Sequence, residues 1–329
     1  MDWYPLTFKP ILKPKSWGGR RLETVLGKAL PPGEGIGESW EVSDYADDVS
    51  VVMGGPAADM SLRDLVERDA PALVGRPLKP LEAGRFPLLV KFIDARDVLS
   101  LQVHPGDEMA EQLGGGHRGK AECWYVVDVE PGSVMYLGLR PGVTREAFAE
   151  ALRSEDRERI VALLNPVEVH AGDFIYAPAG TVHAIGAGML FAEVSQTSDS
   201  TLRLYDWGRL PRRPTHIDPG LEALNLPDDG LGQAGMRDPT PIDSHRDRLV
   251  AGHAFTVDRL RLPAGDRLQV PADGRCTIWT AVAGRGELTF TGGPIVLTAG
   301  RTLLLPAGSP AIDVAADEDL TVLLAQPAE

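Results

Sequence analysis

Apolar residues along this chain fall in short runs, each closed by Gly, Pro, Asp or another turn former. "FPLLVKFIDA", "AECWYVVDV", "GSVMYLGL", "DFIYAPAG" and "MLFAEVSQ" occupy the first two thirds. "CTIWTAVAG", "GELTFTG" and "RTLLLPAG" occupy the last. Short apolar runs bounded by turn signals read as strands, and many of them in series predict a β-sandwich or barrel. Apolar residues at helical spacing are confined to Met60–Gly75 and Thr144–Asn165, which predicts a few inserted helices. The expected class is mainly β.

The strands repeat. "AGDFIYAPAG" (Ala171 to Gly180) resembles "AGRTLLLPAG" (Ala299 to Gly308) at a constant offset of 128 residues. Upstream, "ECWYVVDVEPGSVMYLGL" answers "TIWTAVAGRGELTFTGG", each reading as strand, Gly-containing turn, strand. Two copies of one small barrel unit are expected, and the unit resembles the cupin fold, a double-sheet jelly roll. The predicted organisation is two cupin-like jelly-roll barrels with a few helices inserted. Residues 1–227 form a catalytic, metal-binding copy with the helical insertions, and residues 240–329 a degenerate, metal-free copy. The polar, Gly- and Pro-rich stretch "NLPDDGLGQAGMRDPTPIDS" is the expected linker.

Composition narrows the function. At 329 residues, with 43% hydrophobic and 24% charged, the chain reads as a soluble globular protein. Its net charge of −14 argues against nucleic acid, whose phosphates need a basic surface. A local cluster of cations still suits one small anion. The N-terminal "MDWYPLTFKPILKPKSWGGRR" lacks the apolar core of a signal peptide, and no run is long enough for a membrane span. Two distant cysteines, Cys123 and Cys276, fit a reducing cytoplasm rather than a disulfide framework.

One detail of "LSLQVHPGD" carries chemistry. Gln102 lies two residues before His104, so both point to one face of an otherwise apolar strand. In a cupin-like barrel the metal ligands come from such a strand pair, a downstream Glu, and a His after the Pro-Ala-Gly turn. Gln102, His104, Glu122 and His183 (in "PAGTVHAIG") stand at those places. The corresponding position of the second copy, in "PAGSPAID", is Ala311. Two imidazoles, a carboxylate and an amide oxygen suit Zn²⁺, with Mn²⁺, Co²⁺ or Fe²⁺ as alternatives. His117, His170, His216, His245 and His253 lack such support and read as ordinary, and Trp17, Trp40 and Trp124 as core or pocket wall.

"PKSWGGRRL", "LSLQVHPGDEMAEQ", "GKAECWYVV" and "PAGTVHAIGAGMLFAEVSQTSDSTLRLYDWGR" together resemble the type I mannose-6-phosphate isomerases in their short bacterial form. The motifs run from about Pro14 to Arg209, while the C-terminal copy matches in pattern only. The resemblance implies a metal-dependent aldose–ketose isomerase of carbohydrate metabolism, with one Zn²⁺ per chain. It would interconvert mannose 6-phosphate and fructose 6-phosphate through a cis-enediol, as a monomer or homodimer. It implies that Arg203 faces the substrate and that Lys120 and Glu193 are acid/base candidates, with His183 aiding ring opening. Lys120 has the alternative role of a contact to a substrate oxygen, and Glu193 that of a partner for Arg203 or a lysine. Lys91 and Ser100 match positions that take the phosphate, Arg203 sharing the load. A salt bridge from Lys91 to Asp94 or Glu122 is the alternative. The Gly-rich "LGGGHRGKAE" lacks the ending and following helix of a phosphate loop and reads as a lid or turn. Two rivals stand beside the isomerase: a metal cupin oxygenase or oxidoreductase, and a non-catalytic sugar-phosphate-binding cupin. Gln102 in place of His and the cations Lys91, Lys120 and Arg203 weigh against the first.

Overall fold

Each apolar run forms a strand buried on at least one face, and "LLVKFIDA" (Leu88–Ala95) is buried along its whole length. The computed structural model describes residues 2–33, 35–79, 82, 84–114, 118–226 and 234–328. His117, the centre of the Gly-rich run and the linker residues 227–233 lie outside the described residues.

The N-terminal barrel consists of two antiparallel sheets. One has the spatial order Gly235–Met236, Phe174–Ala177, Glu122–Val129, Met189–Gln196, Leu88–Ala95, Ile11–Gly19, Ile36–Val42. The other runs Leu164–Glu168, Val134–Leu139, His183–Ala184, Leu101–Val103, Leu202–Tyr205. Trp17, Ile93, Trp124, Val126, Leu137 and Phe191 fill the space between them. Apolar residues of both sheets alternate inward, as sandwich packing requires.

The C-terminal barrel repeats the plan with a large sheet that includes Phe255–Leu262, Leu320–Pro327, Thr277–Ala283 and Thr302–Leu305, facing a four-stranded sheet. Leu260, Trp279, Leu303 and Val322 fill it. The large sheets of the two barrels pack back to back. Val90, Phe92 and Val194 of the first share one buried cluster with Phe255, Ile278 and Leu323 of the second.

Strands also cross between the halves. Leu6 and Thr7 pair with Leu304 and Leu303 of the second barrel, while Gly235 and Met236 pair with Tyr176 and Ile175 of the first.

Both predicted stretches are helical, though Leu62–Val74 is kinked at non-helical Asp69 ahead of Pro71, and Arg21–Thr24, Asp107–Leu113 and Ile217–Ala223 are helices that the pattern did not predict. Leu62–Val74 starts at Ser61, whose side chain accepts from Asp64 N in a reciprocal capping box, and stops at left-handed Gly75. Thr144–Asn165, expected as one helical segment, divides into Arg145–Ser154 and Arg157–Leu163. Glu155 turns left-handed at φ 53°, and Asp156 caps the second helix by accepting from the N–H groups of Glu158 and Arg159. Both helices cover the outer face of the five-stranded sheet through Phe148, Leu152 and Ile160.

Candidate metal centre and substrate cleft

Cross-strand register assembles the site from both sheets. In the five-stranded sheet, Gln102 pairs with His183 on one side and with Arg203 on the other. In the facing sheet, Glu193 pairs with Lys91 on one side and Trp124 on the other. Glu122, two residues before Trp124, opens the same strand and points to the same face.

His104, Glu122 and His183 offer ligand atoms that all lie within 4.8 Å of one another, and all three residues are buried. The two Nδ1 atoms lie 2.7 and 3.0 Å from the carbonyl oxygens of Ser200 and Thr181. A carbonyl only accepts, so both Nδ1 atoms carry the proton and both Nε2 atoms are left with a lone pair in the neutral ring. Burial pushes the His104 pKa down, with Lys120 and His183 adding to that. The neutral ring is therefore the resting form. The Nε2 atoms lie 3.0 and 3.1 Å from Glu122 Oε1, and His104 Nε2 and Glu122 Oε1 have no hydrogen-bond partner. Three buried acceptors converge with no proton between them, an arrangement that a divalent cation relieves. Burial alone would raise the Glu122 pKa, but the positive charge facing it, the Lys120 ammonium included, holds it well below the usual carboxylate range.

Gln102 stands beside this triad. Its amide nitrogen lies 3.1 Å from His183 Nε2, and its oxygen accepts from Ser100 Oγ at 3.2 Å. A half-turn of the amide exchanges the two atoms and would add a fourth oxygen donor to the set.

A chain of alternating charges leads away from the centre. Lys120 Nζ lies 2.5 Å from Glu122 Oε2 and 3.3 Å from Glu193 Oε1. Lys91 Nζ bridges Glu193 and Glu38, each at 3.3 Å. Trp124 Nε1 donates to Glu193 Oε2 at 3.0 Å and Trp40 Nε1 to Glu38 Oε2 at 2.7 Å. Burial opposes the charge on both lysines, but the facing carboxylates outweigh it and push their pKa values up. Neither salt bridge weighed as the alternative for Lys91, to Asp94 or to Glu122, forms: its partners are Glu38 and Glu193, and Asp94 accepts from Arg21 N at 2.7 Å.

A cleft of about 280 Å³ opens over this chain, lined by Lys91, Ser100, Gln102, Lys120, Glu122, Glu193 and Arg203. All nine residues singled out in the sequence thus converge, His104 and His183 through their contacts to Glu122. The cleft also takes in Lys15, Glu38 and Arg213, which the sequence reading passed over, and His216. His216 departs from its reading as ordinary. Its Nδ1 accepts from Arg203 N at 3.1 Å, and burial, with Arg203 beside it, pushes its pKa down. Neither it nor Arg213 belongs to a strand pattern, so periodicity held no signal for them.

The chain is similar to known proteins of one family. The family described as phosphomannose isomerase type I, catalytic domain, matches residues 6–130. A probable mannose-6-phosphate isomerase of Bacillus subtilis is 38% identical over 68% of this chain and 69% of its own length. A mannose-6-phosphate isomerase of Streptococcus mutans is 32% identical over 92% of each chain. Among solved structures, the mannose 6-phosphate isomerase from Bacillus subtilis superposes with a TM-score of 0.87 at 28% identity, covering 98% of this chain and 99% of that one.

Proposed function

The chain belongs to the type I phosphomannose isomerase family, and we propose that this cleft interconverts mannose 6-phosphate and fructose 6-phosphate. The observation that carries the reading is the convergence of two imidazole lone pairs and one carboxylate oxygen with no proton between them, beside a cation-rich cleft.

In this reading Gln102, His104, Glu122 and His183 hold one Zn²⁺, a borderline ion suited to mixed nitrogen and oxygen donors. When bound, the metal polarises the sugar's carbonyl and hydroxyl oxygens and offsets charge that develops on them.

The remaining work falls to the chain's own groups. Isomerisation moves a proton between C1 and C2 through a cis-enediol, which needs a base and an acid on one side of the sugar. Lys120 and Glu193, 3.3 Å apart and both lining the cleft, are that pair. The ammonium supplies a proton to a substrate oxygen, and the carboxylate accepts one from carbon. Arg203 presents its guanidinium across the cleft, and Lys91 with Ser100 provides charge and a hydroxyl for the phosphate. His183, with Nε2 turned to the ligand set and Nδ1 bonded to Thr181 O, keeps no nitrogen free for the ring opening expected of it, and serves this reading as a ligand. Residues 1–227 carry this chemistry, and residues 240–329 form a metal-free cupin-like barrel. The two free, buried cysteines support a reducing, cytoplasmic setting for the enzyme, as monomer or homodimer.

The test is a coupled assay of mannose 6-phosphate conversion on the purified protein, before and after chelation and with Zn²⁺ restored. Activity lost to the chelator and regained with Zn²⁺ is expected. A fully metallated protein without activity would overturn the isomerase reading.

A further inference from the structure

The second barrel keeps the cleft of the first after losing its chemistry. Register shows which residue replaces which. In the first barrel Trp124 pairs with Glu193, which in turn pairs with Lys91. In the second, Trp279 pairs with Leu324, which pairs with Asp258. Two residues before each tryptophan stand Glu122 in one barrel and Thr277 in the other. The ligand carboxylate, Glu193 and Lys91 thus have no like counterpart, while Arg275 keeps a cation where Lys120 stands, and a cleft of about 280 Å³ remains at the mouth of this barrel too.

Packing alone does not account for the groups lining it. Trp124 gives its indole N–H to Glu193, but Trp279, 1% exposed, faces a leucine in that place and its Nε1 has no partner. Ser309, 8% exposed, also lines the cleft with an unpartnered Oγ. A buried donor without an acceptor is costly and uncommon in a finished core. The groups around these two donors are suited to an anion by hydrogen bonding rather than by free charge. Arg246, Arg248 and Arg275 line the cleft, each paired with one aspartate, Asp243, Asp258 and Asp273 respectively, and a guanidinium has more N–H donors than one such contact uses. On a protein of net charge −14, this is a donor-rich pocket with every lining carboxylate occupied.

We propose that the cleft of the C-terminal barrel binds the anionic group, phosphate or carboxylate, of a small metabolite. Trp279 Nε1 and Ser309 Oγ donate to its oxygens, while Arg248 and Arg275 supply further N–H donors. The site is separate from the catalytic cleft, and the inference does not depend on the reaction proposed for that cleft.

The experiment follows the indole N–H signals of the metal-loaded full chain by NMR, using ¹⁵N-labelled tryptophan. Trp279→Phe and Trp124→Phe assign the reporters of the two clefts. Inorganic phosphate, citrate and neutral glucose are titrated in turn. The Trp279 signal is expected to shift saturably with at least one anion and not with glucose. A response to phosphate alone points to a phosphate ester, and one to citrate alone to a carboxylate. Ser309→Ala should weaken the apparent affinity about fivefold, the loss of one hydrogen bond. The paired variant Arg248→Gln with Asp258→Asn, which leaves no lone charge behind, should weaken it further. A Trp279 signal unmoved by both anions, or moved equally by glucose, overturns the proposal. So does binding that both variants leave intact.

Discussion

At the scale of single residues, the site is a set of charges that satisfy one another only in part. Arg203 donates from Nη1 to Pro214 O at 2.9 Å, while its buried Nε has no partner. A cleft-lining arginine whose bonding is incomplete fits a group that engages the substrate. Arg203→Ala should therefore lower kcat roughly 10²–10³-fold, the usual cost of removing one charge-stabilising donor, with metal content unchanged. Loss of the metal in that variant would assign Arg203 to the scaffold instead. Glu38 makes a second prediction. Burial would raise its pKa, but Lys91 and Lys15, with hydrogen bonds from Trp40 and Lys91, lower it from 4.5 to about 2. A carboxylate with a lowered folded pKa contributes stability that is fully present above its unfolded value and is lost as pH falls through the folded one. Unfolding free energy should thus decline between about pH 4.5 and pH 2 by on the order of 3 kcal/mol from this group. Chemical denaturation of Glu38→Gln across that range should show a correspondingly flatter pH profile.

At the scale of elements, the helix Leu62–Val74 was legible from both ends. Ser61, Asp64 and Gly75 carry its start and stop signals. The chain beyond Gly75 was not legible. Ala307 N and Gly308 N donate to Leu73 O and Ala72 O, so the helix end is a seam between barrels. Gly75 has φ 93°, and a Cβ there would lie 2.4 Å from Gly274 O. Gly75→Ala combines left-handed strain with a backbone clash across that seam and should cost at least ~2 kcal/mol. Ser61→Ala, which removes only a cap, should cost about 1 kcal/mol. Thermal unfolding of both variants checks the order. The division of Thr144–Asn165 escaped the pattern because the apolar spacing continues past the break. Asp156 as a cap competes with helix interior at that point, and local propensity decides such contests only weakly.

At the scale of the whole molecule, the two barrels are not separable beads. The first strand belongs to the second barrel's sheet, a strand after the linker belongs to the first's, and one apolar cluster spans both. A chain cut after residue 226 would leave Leu6 and Thr7 without strand partners and expose the back of the Leu88–Ala95 sheet. The truncated protein is expected to be insoluble or to lack cooperative unfolding. A soluble, active fragment would show that the second barrel is dispensable.

The sequence by itself determined the β class and the doubling of the barrel unit, and it singled out His104, Glu122 and His183, which the fold brings together. Those features live in short-range spacing: two-residue alternation placed Gln102 with His104 and Lys120 with Glu122, and the Pro-Ala-Gly turn placed His183. Only the tertiary structure decided which strands become neighbours, and therefore who pairs with whom. Lys91 meets Glu38 and Glu193 rather than Asp94, and His216 comes to rest against Arg203. The first strand likewise crosses to the far barrel. Each of these contacts joins segments distant in the chain, or a loop to a strand, and the energy that selects them is burial and charge pairing summed over the folded sheets. No local period encodes that sum.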